Sequence, residues 1–368
     1  MTASAATDRA GELPTTMRAM VMRARGEPSV LRMEEIATPV PGPGEVVVRV
    51  GAVEVSRSRD VATRTGQHPY SRQLTLPHVL GGDFAGIVAS LGAGVDGSLL
   101  GARVAVMNHQ TCGSCAACRA GREDDCSALT MLGIHRPGSY AEYALVRVDQ
   151  VHRLPEDIDL VQAAALAATG PVALTQLVAG RVEAGTTVLL TGLSGALAST
   201  LACLSGARGA RVVGLTRRPA EIDPALGVTV LDLAHADLAG AIVAETGGGP
   251  QVVVDNICVP EIFGAYYPIL PNGARVVISG ALDASGPPVL AVHARTLYLR
   301  SISLLGVRSH TASVTDQFWR LVRDGFRIPR TVLHEYPLAQ AADVHDAVAR
   351  NATAGHTILR VSPESLEK

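Results

Sequence analysis

Between about residues 161 and 305 the chain alternates continuous apolar runs with small-residue or amphipathic segments: TTVLLTG, then LSGALASTLACLSGA, then ARVVGLT, VTVLDL, QVVVDN and ARVVISG. Runs without polar alternation have both faces buried, which requires helices on the two sides of a sheet. This pattern predicts an α/β unit, a doubly wound parallel sheet, over 161–305. The preceding residues follow another rule. EVVVRVGAV, FAGIVASLG and ARVAVM are short β-branched runs cut by Gly and Pro turns, which predicts a mostly antiparallel β domain over 17–160. After Gly306 come amphipathic helices near 314–324 and 338–350 and a closing strand, HTILRV, so that 306–368 reads as a return to the first domain. Residues 1–16 read as a disordered lead-in. A chain of 368 residues has room for two such domains.

Charge and composition exclude several functions. A net charge of −2 with 3% aromatic residues provides neither an electrostatic footprint nor a stacking platform for nucleic acid. Lys368 is the one lysine, so an interior Schiff-base lysine, a P-loop lysine and a lysine general base are all ruled out. Positive charge is carried by arginine, which favours bidentate binding of carboxylate or phosphate. Residues 186–207 are uncharged, but Gly192, Gly195 and Gly206 suit a strand, turn and helix better than a membrane span. The N-terminal segment lacks an apolar core of signal-peptide length, so a cytoplasmic protein without membrane contact is expected.

Cys112, Cys115, Cys118 and Cys126 follow the spacing C-x2-C-x2-C-x7-C within CGSCAACRAGREDDC. Four thiolates this close in sequence can converge on one tetrahedral zinc ion, and an iron–sulfur cluster is the competing metal reading. Cys203 and Cys258 sit in apolar contexts and read as packing residues.

Gly192, Gly195 and Ala198 form G-x-x-G-x-x-A between an expected strand and an expected helix. Small residues let the backbone approach a pyrophosphate, and a helix N-terminus supplies free N–H groups. Ser194, Ala196 and Leu197 are the other candidate cofactor contacts of this turn. About 20 residues on, where NAD sites place an acidic residue, the chain has Thr216, Arg217 and Arg218. These suit a 2′-phosphate and predict NADPH over NADH; the competing reading is two arginines capping a strand on a solvated surface.

PGPGEVVVRV, GGDFAGIVASLGAGV, GARVAV, the cysteine segment, GSYAEYALV, the glycine turn and GHTILRV together resemble the medium-chain dehydrogenase/reductase superfamily over nearly the whole chain. The resemblance implies a GroES-like catalytic domain, a Rossmann cofactor domain, one structural zinc per chain in a lobe over 111–127, a small-molecule substrate and a homodimer formed through edge strands. In zinc-dependent relatives three side chains hold a catalytic zinc. The corresponding positions here are Arg57, Gly82 and Ala168, with Asp83 where a glutamate usually follows, so no catalytic zinc is expected.

Zinc-free quinone and enoyl reductases of the superfamily are similar to this chain at RDVxxxxGxxP and GxDxAGxV. That similarity implies an NADPH-dependent reductase of a carbonyl-conjugated double bond, such as an enone, quinone or enoyl thioester. Arg57 would turn into the site and hold a substrate oxygen, His68 would donate a proton in the place of a family tyrosine, and Tyr70 and Asp60 would lie beside them. Asn256 and Ile257, with Ser279, Gly280 and Ala281, would line the nicotinamide pocket. The alternatives are a zinc-independent carbonyl or imine reductase and a non-redox cyclase-like or cofactor-binding regulatory protein. Gly355-His356 departs from the family's Gly-Lys.

Overall fold

The computed structural model describes residues 13–280, 289–308 and 311–361. The first domain is built around the strand Glu45–Glu54, whose Val46, Val47, Val48, Val50, Ala52 and Val53 are all fully buried. A strand this apolar must be covered on both faces and paired on both edges. It pairs antiparallel with Asp83–Leu91 on one side, and on the other with Tyr143–Arg147 and His356–Arg360 at its two ends. Arg103–Val106, Val151–Arg153 and Leu333–Pro337 complete a seven-stranded sheet. Two of these strands come from the end of the chain, so the C-terminal return is part of the first domain's sheet. A smaller sheet orders Leu31–Ala37, Thr16–Met22 and His78–Val79.

The helix Leu160–Gly180 joins the two domains, its N-terminus capped by the Asp159 carboxylate, which accepts from the Gln162 N–H at 2.8 Å. Two glycines let it pack closely. A Cβ on Gly51 would lie 2.4 Å from Leu160 Cδ1, and one on Gly170 would lie 2.1 Å from Phe318 Cζ. Phe318 belongs to the helix Ala312–Arg323 and is fully buried in that notch, a contact contributing about 1.5–3 kcal/mol of apolar burial.

The second domain is the expected parallel sheet, with six strands in the order Thr229–Asp232, Arg211–Thr216, Thr187–Leu190, Val252–Asp255, Arg275–Ile278 and Ser303–Gly306. Numbered along the chain this is 3-2-1-4-5-6, the Rossmann order, and a ligand crevice belongs where the order reverses, at the carboxyl ends of Thr187–Leu190 and Val252–Asp255. The glycine turn, Asn256 and Ile257 all lie there.

Candidate active site

The chain leaves its central strand at Glu54 and enters a π-helical turn, Arg57–Val61, where the Ser56 hydroxyl accepts from the Arg59 N–H at 3.3 Å. Residues two apart in a helical turn point to nearly opposite sides. This geometry separates two neighbouring arginines. Arg57 is exposed and, among the described residues, has no ion-pair partner, while Arg59 is buried. Its guanidinium donates to Asp83 at 2.6 Å and to Asp60 at 3.1 and 3.3 Å. Asn108 donates to the same Asp83 oxygen at 2.6 Å, and the Ser56 and Gly81 N–H groups donate to Asp60 at 2.8 and 3.3 Å.

Burial works against the charge of Arg59, but Asp60 and Asp83 more than offset it and raise the guanidinium pKa. The space it fills exists because residue 82 is glycine: a Cβ there would lie 3.0 Å from Arg59 Cζ. Thus a buried cation held by two carboxylates lies against Gly82. Neither Gly82 nor the part-buried Ala168 has a side chain that could bind a metal.

Beside this cluster a second buried network joins the domains. Glu54 stands opposite Asp83 in register, and its carboxylate lies 2.6 Å from His356 Nδ1. His356 Nε2 lies 3.1 Å from the Thr200 hydroxyl, which in turn lies 3.3 Å from that of Thr169. Burial pushes the Glu54 carboxyl up, and its second oxygen has no partner among the described residues. The departure from Gly-Lys therefore places an imidazole between the first domain's central strand and the helix Ala196–Ala207.

At the mouth of the site the Tyr70 N–H donates to His68 Nδ1 at 3.2 Å, which leaves the proton of a neutral imidazole on Nε2. Burial, with Arg59 and His135 nearby, pushes His68 down to about 4. The ring is therefore neutral at neutral pH, with its Nε2–H available to donate a hydrogen bond. The ring of Tyr70 lies 5.4 Å from that of His135, and its hydroxyl oxygen accepts from Arg308, two residues beyond the last strand of the second domain. His135 is fixed by the Met131 N–H at 2.9 Å and by Gln73 at 2.8 Å. No local motif marks Arg59, Asn108, Glu54, His135 or Arg308. Their significance comes from strand register and domain packing.

In the cofactor crevice Gly192 is left-handed, with φ 66°, and its carbonyl accepts from the Gly195 N–H at 2.9 Å. Gly195 caps the helix Ala196–Ala207 without a side chain, so the first-turn N–H groups at Ala196, Leu197 and Ala198 remain for an anion. Leu193 is seated under the turn because Gly214 has no Cβ, which would lie 2.4 Å from Leu193 Cδ2. The C-terminal return closes against the turn, the Gly355 N–H donating to the Ser194 carbonyl at 2.9 Å.

At the end of the second strand Thr216 is buried and Arg217 exposed, while Arg218 is bonded to Glu221 at 2.8 Å and to the Thr353 carbonyl at 2.9 Å. Asn256 pairs with Gln176 at 3.1 and 3.2 Å beside Ile257, and Ser279 and Gly280 follow the fifth strand. Ala281 lies outside the described residues. The capless helix start and left-handed glycine fit a dinucleotide pyrophosphate.

The four cysteines come together. Their sulfurs lie within 4.8 Å of one another, with separations of 3.5, 3.6 and 3.9 Å among the bonded pairs. Four sulfurs about 2.3 Å from one tetrahedral zinc would be about 3.8 Å apart, so the quartet fits the ion. Backbone N–H groups of Cys112, Cys115 and Cys118 donate to neighbouring sulfurs at 3.3–3.5 Å, an arrangement that favours thiolates. Cys203 and Cys258 lie elsewhere, and burial pushes both thiols up to about 11.

Comparison with known proteins agrees with this architecture. Residues 42–156 match the alcohol dehydrogenase GroES-like domain family and 195–324 match the zinc-binding dehydrogenase family. The L-threonine 3-dehydrogenase of Deinococcus radiodurans is 27% identical over 93% of this chain and 97% of its own length. The solved structure of AibC is 31% identical with a TM-score of 0.85, covering 95% of this chain and 97% of that one. That of an NAD-dependent alcohol dehydrogenase is also 31% identical, with a TM-score of 0.83 over 94% of this chain and all of that one. The chain belongs to the medium-chain dehydrogenase/reductase superfamily, and it is an oxidoreductase of that type.

Proposed function

We propose that the chain is an NADPH-dependent reductase of a carbon–carbon double bond conjugated to a carbonyl, working without a catalytic zinc. The observation that carries this reading is the Arg59–Asp83 pair. At the base of the cleft, against Gly82, a permanently cationic guanidinium is held where a ligand set would have to assemble, and it would repel a divalent ion. Without a Lewis acid, a ketone or alkoxide lacks its usual polariser. A conjugated acceptor needs less, because its own carbonyl takes up the developing charge.

NADPH, when bound, supplies a hydride to the carbon remote from the carbonyl. Its pyrophosphate would be held by the free N–H groups after Gly195, and Thr216 and Arg217 support a 2′-phosphate in preference to the bare ribose of NAD. His68, neutral with its proton on Nε2, would donate a hydrogen bond to the substrate oxygen and stabilise the enolate. Exposed Arg57 is available at the rim for an anionic group of the substrate. Tyr70 would give its hydroxyl proton to the adjacent carbon, and Arg308, donating to the same oxygen, would stabilise the phenolate left behind. In this reading the part of Asp60 and Asp83 is to hold Arg59.

A second reading, a zinc-independent carbonyl reductase, is favoured by the names of the relatives, which act on threonine and on alcohols. NADPH oxidation against matched enone, quinone and ketone substrates separates the two. Turnover confined to ketones would overturn the first.

A further inference from the structure

Arg218 is the second arginine of the 2′-phosphate segment, yet it is already occupied. Its Nη1 donates to Glu221 Oε2 at 2.8 Å, its Nη2 donates to the Thr353 carbonyl at 2.9 Å, and its own N–H donates to Thr216 Oγ1 at 3.0 Å. Arg217 beside it is exposed and, among the described residues, has no side-chain partner. Both acceptors of the Arg218 guanidinium line a pocket of ≈ 400 Å³ that also includes Leu193 and Ser194 of the glycine turn, Ser199 of the following helix and Gly355 of the C-terminal return.

A guanidinium recognises carboxylate and phosphate oxygens through the same planar fork. The Glu221 carboxylate therefore makes the contact that a phosphomonoester would make. We propose that Glu221 is a specificity-determining residue, an internal counter-anion that competes with a 2′-phosphate for Arg218 and so sets how strongly the crevice prefers phosphorylated adenosine. This rests on the assignment of the Thr216–Arg218 segment to a 2′-phosphate. Because Arg218 also holds the Thr353 carbonyl, two residues before the Gly355 contact with Ser194, the exchange takes place at the docking point of the C-terminal return.

The half-exposed pair is worth little, about 0.2–1 kcal/mol, or roughly a 1.4- to fivefold change in affinity. The test is calorimetric titration of the full chain with adenosine 2′,5′-bisphosphate and, separately, with 5′-AMP. Glu221→Gln, isosteric and at the surface, should tighten the bisphosphate about two- to fivefold and leave 5′-AMP unchanged. Adding Arg218→Gln should abolish that gain. Glu221→Gln leaving the bisphosphate unchanged, or shifting both nucleotides equally, would overturn the proposal. If the wild-type chain binds both nucleotides equally, the NADPH reading fails. Even then, selective tightening in Glu221→Gln would support competition at Arg218, and its absence would sink that too.

Discussion

Arg59 donates to Asp83 at 2.6 Å, and Asp60, next to it in sequence, takes the other side of the same guanidinium. Both carboxylates are buried with it, so the cluster is stable only as a whole. Arg59→Ala leaves two buried carboxyl groups without their cation and is expected to cost about 3–5 kcal/mol in denaturant unfolding. Arg57→Ala, two residues away and exposed, should stay within about 0.5 kcal/mol. Equal losses from the two variants would mean that the buried guanidinium had been misassigned.

Tyr70→Phe removes the proposed proton donor while keeping the ring beside His135. It is expected to lower kcat about a hundredfold or more with little change in KM. Arg308→Gln should give a smaller fall in kcat, because the oxygen that gives up its proton loses the cation bonded to it. Single-turnover rates measure both effects. An unchanged rate in Tyr70→Phe would remove the tyrosine from the chemistry.

The parallel sheet, the glycine turn and the cysteine quartet were legible in the sequence because each is a local pattern: continuous apolar strands, small residues at fixed spacing, and thiols close together. Arg59 was not. Four arginines crowd residues 57–72, and the phase of a π-helical turn decides that Arg59 rather than Arg57 faces inward. The protonation state of His68 was not legible either, because it depends on burial and on Arg59 and His135. The Glu54–His356 contact joins residues 302 apart and depends on the C-terminal strand entering the first domain's sheet.

His345 supplies a pH signature. It accepts from Arg64 Nε at 3.3 Å and lies 2.9 Å from the Tyr140 hydroxyl, and burial together with Arg64 pushes it down to about 3. The unfolded chain takes up a proton there near pH 6.5, roughly the reference value. The native state therefore binds fewer protons, and the stabilisation is complete above about pH 6.5 and is lost as the pH falls towards 3. His345→Asn should flatten this part of the acid limb of stability, measured by urea unfolding between pH 7 and 4. An unaltered slope would show that the imidazole is already protonated in the folded chain.

Metal analysis of the purified chain should give about one zinc, released by Cys126→Ser. Cys126 is the buried member of the quartet and metal binding couples to folding, so the variant should show a zinc loss together with earlier proteolysis between residues 111 and 127. About two zinc ions per chain would contradict the reading of the cleft.

The identity of the product from a simple enone tests the central claim most directly. Incubation with NADPH and 2-cyclohexenone, followed by mass and NMR analysis, is predicted to yield the saturated ketone with its carbonyl intact. An allylic alcohol as the main product would contradict the account, because it would mean that the cleft around Arg59 reduces a carbonyl.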